Sequence, residues 1–120
     1  MSFPSSESAD VVQRQLDAYN AHDVDALVAE YAEDAQQFEH PSKLLATGSQ
    51  ELRERYALRF RESRPHAALV RRIVLGNKVI DHEEITSGSA NGIVKANLVA
   101  IYEVQQGKIS RAWFISALLS

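Results

Sequence analysis

The chain has 120 residues, no cysteine and a formal net charge of -3 at pH 7. That length makes one domain with room for a real core, and without cysteine there is no disulfide framework, thiolate metal site or Cys nucleophile. The mildly acidic balance argues against a nucleic-acid or anionic-membrane partner. No apolar run approaches a membrane span, and the start MSFPSSES has no basic or apolar leader. The expected compartment is the cytoplasm.

Residues 1–7 read as a loose polar tail. A helix starting near Ser8 or Asp10 carries Ala9, Val12, Leu16 and Tyr19 on one apolar stripe. Asn20-Ala21-His22 interrupts it, and Asp23 is placed to cap a short second helix with Val24, Leu27, Val28 and Tyr31. Ala35 to Glu39 reads as a strand stopped by Pro41, which has no amide to offer a ladder. A loop from Ser42 to Gly48 leads to a third helix, capped by Ser49 and running from Gln50 to about Glu62. Leu52, Tyr56, Leu58 and Phe60 are its apolar residues, and its many Arg and Glu residues read as a solvated face laced with ion pairs.

His66 to Thr86 forms a hairpin about the turn Leu75-Gly76-Asn77-Lys78, with Gly-Asn at the centre. Continuous pairing sets Val74 opposite Val79, Arg72 opposite Asp81, Val70 opposite Glu83 and Ala68 opposite Ile85. One face is then apolar apart from Arg72, Asp81 and Glu83, a pattern suited to a lined cavity. A one-residue slip in one strand would bring His82 and Glu84 to that face instead. SGSANG, Ser87 to Gly92, reads as a flexible connection.

The last hairpin turns at Gln105-Gln106-Gly107. Pairing Val104 with Lys108 puts Asn97, Val99, Ile101, Ile109, Arg111, Trp113 and Ile115 on one face, and Ala96, Leu98, Ala100, Tyr102, Ser110, Ala112 and Phe114 on the other. Both faces are apolar enough for central, covered strands. The sum is an α+β fold with a mainly antiparallel sheet.

The phrases LDAYNAHDVD (Leu16 to Asp25), YAEDA (Tyr31 to Ala35), the Gly48 to Tyr56 turn into a helix and GKISRAWF (Gly107 to Phe114) resemble the nuclear transport factor 2-like superfamily. The resemblance spans about Ser8 to Ile115 and points to its SnoaL-like and ketosteroid-isomerase-like branch. It implies a curved sheet forming a cone around three helices, an open-ended pocket and a homodimer through the outer sheet face. It also implies either cofactor-free isomerase, cyclase, dehydratase or epoxide-hydrolase chemistry, or a non-enzymatic binding module. Counted from YAEDA, Glu39 falls where ketosteroid isomerases place their aspartate base. Their oxyanion-hole tyrosine falls on Gln15 and their oxyanion-hole acid near Val99, departures that argue against steroid isomerisation itself. Arg72 with Asp81 and Glu83 supplies the residue types by which limonene-epoxide-hydrolase-like members activate water, and His40 or His82 with Glu39 would make a dehydratase-like pair.

The candidate catalytic set is therefore Glu39, Asp81, Glu83 and Arg72; Tyr19, His40, Tyr56, Phe60, Asn97 and Trp113 are the candidates for touching a ligand. Each has a plainer reading. The Arg–carboxylate group can be a cross-strand structural pair, His40 a loop residue, and Tyr19, Tyr56, Phe60 and Trp113 core. No His pair has metal spacing on a common element, so no metal is expected, and the chemistry that the resemblance implies needs no cofactor. The expected ligand is a small hydrophobic organic molecule.

Overall fold

The chain runs through α1 (Glu7–Asn20), α2 (Val24–Ala29), β1 (Tyr31–Glu39), β2 (Lys43–Thr47), α3 (Gly48–Ser63), β3 (His66–Leu75), β4 (Lys78–Ser89), β5 (Gly92–Gln105) and β6 (Lys108–Leu118). This is a computed structural model describing residues 7–118. The expected tail lies outside the described residues, apart from Glu7, which opens α1.

The apolar stripe of α1 is buried through Val11, Val12, Leu16 and Tyr19. At its C-terminal end Asn20 acts as a substitute strand residue. Its amide donates to the Ala67 carbonyl at 2.9 Å and accepts the Ala67 N–H at 2.7 Å, which fastens α1 to β3. His22 turns the chain at φ 55, and the Asp23 carboxylate caps α2 by accepting the Ala26 N–H at 3.0 Å. In α3, Leu52, Tyr56 and Phe60 recur at every fourth position and are the residues buried.

Six strands form one curved, unclosed sheet in the order β2-β1-β6-β5-β4-β3. The neighbours are antiparallel except β1 and β6, which run parallel. The helices cover its inner face, where Val79, Ala100, Tyr102, Ile109 and Ala112 join the core. The outer face leaves Ile101 and Trp113 half-buried and Ile115 exposed, so the expected cover on both sides is supplied on the inner side alone.

Four local expectations are corrected. The Ser42–Gly48 loop contains β2, an edge strand whose exposed Leu44 conceals the alternation that would mark it. The first strand begins at Tyr31, because the irregular register between Tyr31 and Gln36 breaks the period of two there. Ser87 to Gly92 continues the ladder as far as the Ser89–Gly92 pair. An irregularity between Glu103 and Val104 sets Val104 opposite Ile109 and turns Ile109 into the core instead of outward.

The central hairpin keeps its expected register from the turn to Arg72 and Asp81. Between Leu69 and Arg71 the ladder then shifts, leaving Val70 exposed, Leu69 opposite Glu83 and Ala67 opposite Ile85. The bulge lies in β3, so the alternation of β4 is intact. Asp81, Glu83 and Ile85 point inward, whereas His82 and Glu84 take the outer face.

Candidate functional site

Helices α1 and α3 stand off the inner face of β4, β5 and β6, and between them is a cavity of about 460 Å³. That size suits a small organic ligand. Its walls are largely apolar: Leu16 and Tyr19 from α1, Tyr56 from α3, Ile85 from β4, Leu98 and Tyr102 from β5 and Phe114 from β6. Four side chains of the Arg and Glu type reach it as well. They are Glu83 from β4, Glu39 from the end of β1, and Arg55 and Arg59 from α3.

Glu83 is the deepest of these acids, with 4% of its surface exposed. No described side chain donates a hydrogen bond to its carboxylate within bonding distance. Loss of water raises its pKa from 4.5 to about 7; the Asp81 charge pushes the same way and the Arg72 guanidinium opposes both. A carboxylate balanced near neutral pH and facing an apolar cavity can accept and return protons at physiological pH.

Asp81 is fully buried and taken up by Arg72, whose Nε and Nη2 donate to Oδ1 and Oδ2 at 2.7 and 2.9 Å. The remaining edge of Arg72 donates to Gln13 Oε1 at 2.9 Å. The hydrogen bonds to Asp81 hold the Arg72 pKa above its usual value. The structure thus brings Arg72, Asp81 and Glu83 onto one face, but of the three only Glu83 lines the cavity. Asp81 and Gln13 instead take up the Arg72 guanidinium through three hydrogen bonds.

Tyr19 accepts a hydrogen bond from Arg59 Nε at 2.8 Å, which leaves its own O–H proton to give. Burial raises its pKa and Arg59 works against that rise. Behind it, the Gln37 amide donates to the Tyr31 and Tyr56 hydroxyls at 3.1 and 2.8 Å. Burial holds the Tyr31 and Tyr102 hydroxyls well above their usual pKa.

The other expected ligand contacts divide. Tyr19 and Tyr56 line the cavity, and Glu39 stands at its edge, exposed. Phe60 instead packs edge-on against Tyr19 with ring centres 5.4 Å apart, one layer behind the wall. Asn97 and Trp113 are on the outer face: Asn97 Oδ1 is 3.0 Å from His82 Nε2, and Trp113 stacks on Phe38 at 5.9 Å. The period of two that sends Leu98 and Phe114 inward sends these two outward. His40 is an exposed turn residue outside the cavity wall, preceding a cis Pro41.

Sequence reasoning missed Arg55 and Arg59, which were expected on a solvated helix face. Each immediately precedes a buried aromatic of α3, so both flank the stripe of Leu52, Tyr56 and Phe60. A spacing of four along that border was the available signal.

Residues 12–112 match the profile of the SnoaL-like domain. The chain belongs to the SnoaL-like family. An uncharacterised cystatin-fold protein of Novosphingobium aromaticivorans is 26% identical over 93% of this chain and 99% of its own, with a TM-score of 0.83. A candidate SnoaL-like polyketide cyclase of Jannaschia sp. CCS1 is 14% identical over 97% and 90%, TM-score 0.82. An LEH-like epoxide hydrolase of M. tuberculosis is 17% identical over 93% and 86%, TM-score 0.80. No curated protein matches the chain. At these identities the last two likenesses speak for a shared SnoaL-like fold, and the chemistry of this chain rests on its own side chains. Among the described residues no group of three His, Asp or Glu side chains could hold a metal ion, and no helix is long and apolar enough to cross a membrane.

Proposed function

We propose that this SnoaL-like protein binds a small, mainly hydrophobic organic molecule and moves a proton on it, with Glu83 as general base. The observation that carries the reading is a buried carboxylate without a hydrogen-bond donor among the described residues, facing a largely apolar cavity and balanced near pH 7. Glu83 takes a proton from an activated C–H of the ligand and becomes the neutral acid. The Tyr19 hydroxyl, oriented by Arg59, donates to the oxygen on which negative charge develops. Glu83 then returns the proton at a second position, which gives isomerisation, or at a leaving oxygen, which gives dehydration. Arg72 and Asp81 hold the strand pair that aims Glu83, and Glu39 is a second acid at the rim. Polyketide cyclases and epoxide hydrolases among the structural relatives use the same fold, which is consistent with a small organic substrate. The half-buried Trp113 and exposed Ile115 of the outer sheet face suit a homodimer, to be checked by sedimentation.

A base probe tests this without knowledge of the natural substrate. In 5-nitrobenzisoxazole, removal of the C–H proton breaks the N–O bond and releases a coloured phenolate. The expected result is turnover that rises with pH through about 7 and falls on the order of a hundred-fold in Glu83→Gln. Equal rates in the two proteins would favour a non-catalytic binding domain, a reading supported by the way the Arg72–Asp81 pair is sealed from the cavity.

A further inference from the structure

The face of the cavity opposite the sheet is cationic without a resident partner. Arg55 and Arg59 lie one helical turn apart on α3, both line the cavity and both are only partly exposed. Neither forms an ion pair among the described residues. Arg59 spends its Nε on the Tyr19 hydroxyl, an acceptor without charge. The Arg55 Nε is buried without a hydrogen-bond partner, and the Arg55 guanidinium carbon stands 6.0 Å from the Tyr56 ring centre. Holding a guanidinium donor away from water and leaving it unpaired is unfavourable, and an incoming anion relieves the cost.

We infer that Arg55 and Arg59 form a seat for the carboxylate of the ligand, so that the molecule bound here is a small aromatic or alicyclic organic acid. A guanidinium fork matches the two oxygens of a carboxylate, and two forks one turn apart can share them. The apolar walls from Leu16, Leu98 and Phe114 suit the rest of such a molecule. Charge number selects the monoanion. The same cavity carries Glu39 and Glu83, whose fields oppose a doubly charged group such as a phosphate monoester. The seat also orients the ligand. With its carboxylate on α3, the far end of the molecule points across the cavity to the inner sheet face from which Glu83 projects. The inference builds on the reading of this cavity as a ligand site and does not require that Glu83 be catalytic.

Calorimetric titration of the full chain with 2-naphthoate, phenylacetate, their methyl esters and phenyl phosphate tests it. The expected result is that each acid binds about ten-fold or more tightly than its ester and than phenyl phosphate. The preference for acid over ester should be lost in Arg55→Gln, restored in part by Arg55→Lys, and retained in Glu83→Gln, whereas the preference over phenyl phosphate should narrow in Glu83→Gln. Folding of each variant is checked by near-ultraviolet circular dichroism, and Arg55→Lys keeps the comparison valid if the Gln variant is unstable. Equal affinity for acid and ester, tighter binding of phenyl phosphate, undiminished preference in Arg55→Gln, or no binding of either acid would each overturn it. Acid binding that persists without base catalysis by Glu83 leaves the seat standing and removes only the proton-transfer proposal.

Discussion

Arg72 and Asp81 face one another across β3 and β4 and are joined by two parallel hydrogen bonds of 2.7 and 2.9 Å. Asp81 is fully enclosed, and the Arg72 side chain is 16% exposed. Removing Arg72 therefore strands a buried carboxylate. Arg72→Ala should lower the free energy of unfolding by about 3 kcal/mol in urea titration. The double replacement Arg72→Met with Asp81→Leu should recover most of that loss, because it removes the charge together with its partner. A double variant no more stable than Arg72→Ala would contradict this account.

Glu83 makes stability depend on pH in a direction opposite to that of an ion-paired acid. Its folded pKa is raised from 4.5 to about 7, so folding takes up a proton between those values. The contribution is fully present below pH 4.5 and is lost as pH rises through about 7. Relative to Glu83→Gln, the wild type should lose about 3 kcal/mol of stability between pH 4 and pH 8. Parallel denaturant titrations of both proteins across that range measure the difference, and a flat difference would sink the assignment.

Asn20 should matter more than a surface amide at a helix end. Its side chain supplies both a donor and an acceptor to Ala67. Asn20→Ala leaves both Ala67 backbone groups unpaired and should cost about 2 kcal/mol. Asn20→Asp, which keeps the acceptor and loses the donor, should fall between. Thermal unfolding of the pair against wild type gives the order directly.

Gln37 is fully buried, and its amide nitrogen serves two tyrosine hydroxyls while its Oε1 has no partner. Gln37→Met removes the two hydrogen bonds but also an unsatisfied carbonyl. The net loss should be only about 1 kcal/mol by chemical denaturation. A loss several times larger would mean that Oε1 is satisfied in solution.

What could be read ahead of the structure follows the strength of local physics. The stripe of α1, the Asp23 cap, and the pairing of Arg72 with Asp81 each follow from a period or a turn spanning a few residues. Glu83 was correctly oriented even though its partner was not, since the face of a residue depends on its own strand and its partner on the neighbouring one. Val70 shows the converse: a bulge leaves little trace in a run of Ala, Leu and Val, and it displaced every pair beyond it. Arg55 and Arg59 were hidden because an arginine on a charged helix looks solvated unless the orientation of the helix to the sheet is known.

The parallel contact of β1 with β6 has a kinetic consequence. Tyr31 of β1 lies opposite Ile109 of β6, and just ahead of that pair Lys108 donates to the Ala29 carbonyl of α2 at 2.6 Å across 79 positions of sequence, whereas β3 to β6 form a meander of neighbouring hairpins. Closing so long a loop is entropically slow, so the meander should assemble first and the β1–β2 ribbon dock last. Until it docks, the cavity has its floor but lacks the wall from Glu39 and Leu45. Ligand capture then becomes a reporter of the final folding step, and a tight-binding ligand would slow unfolding by holding that ribbon in place.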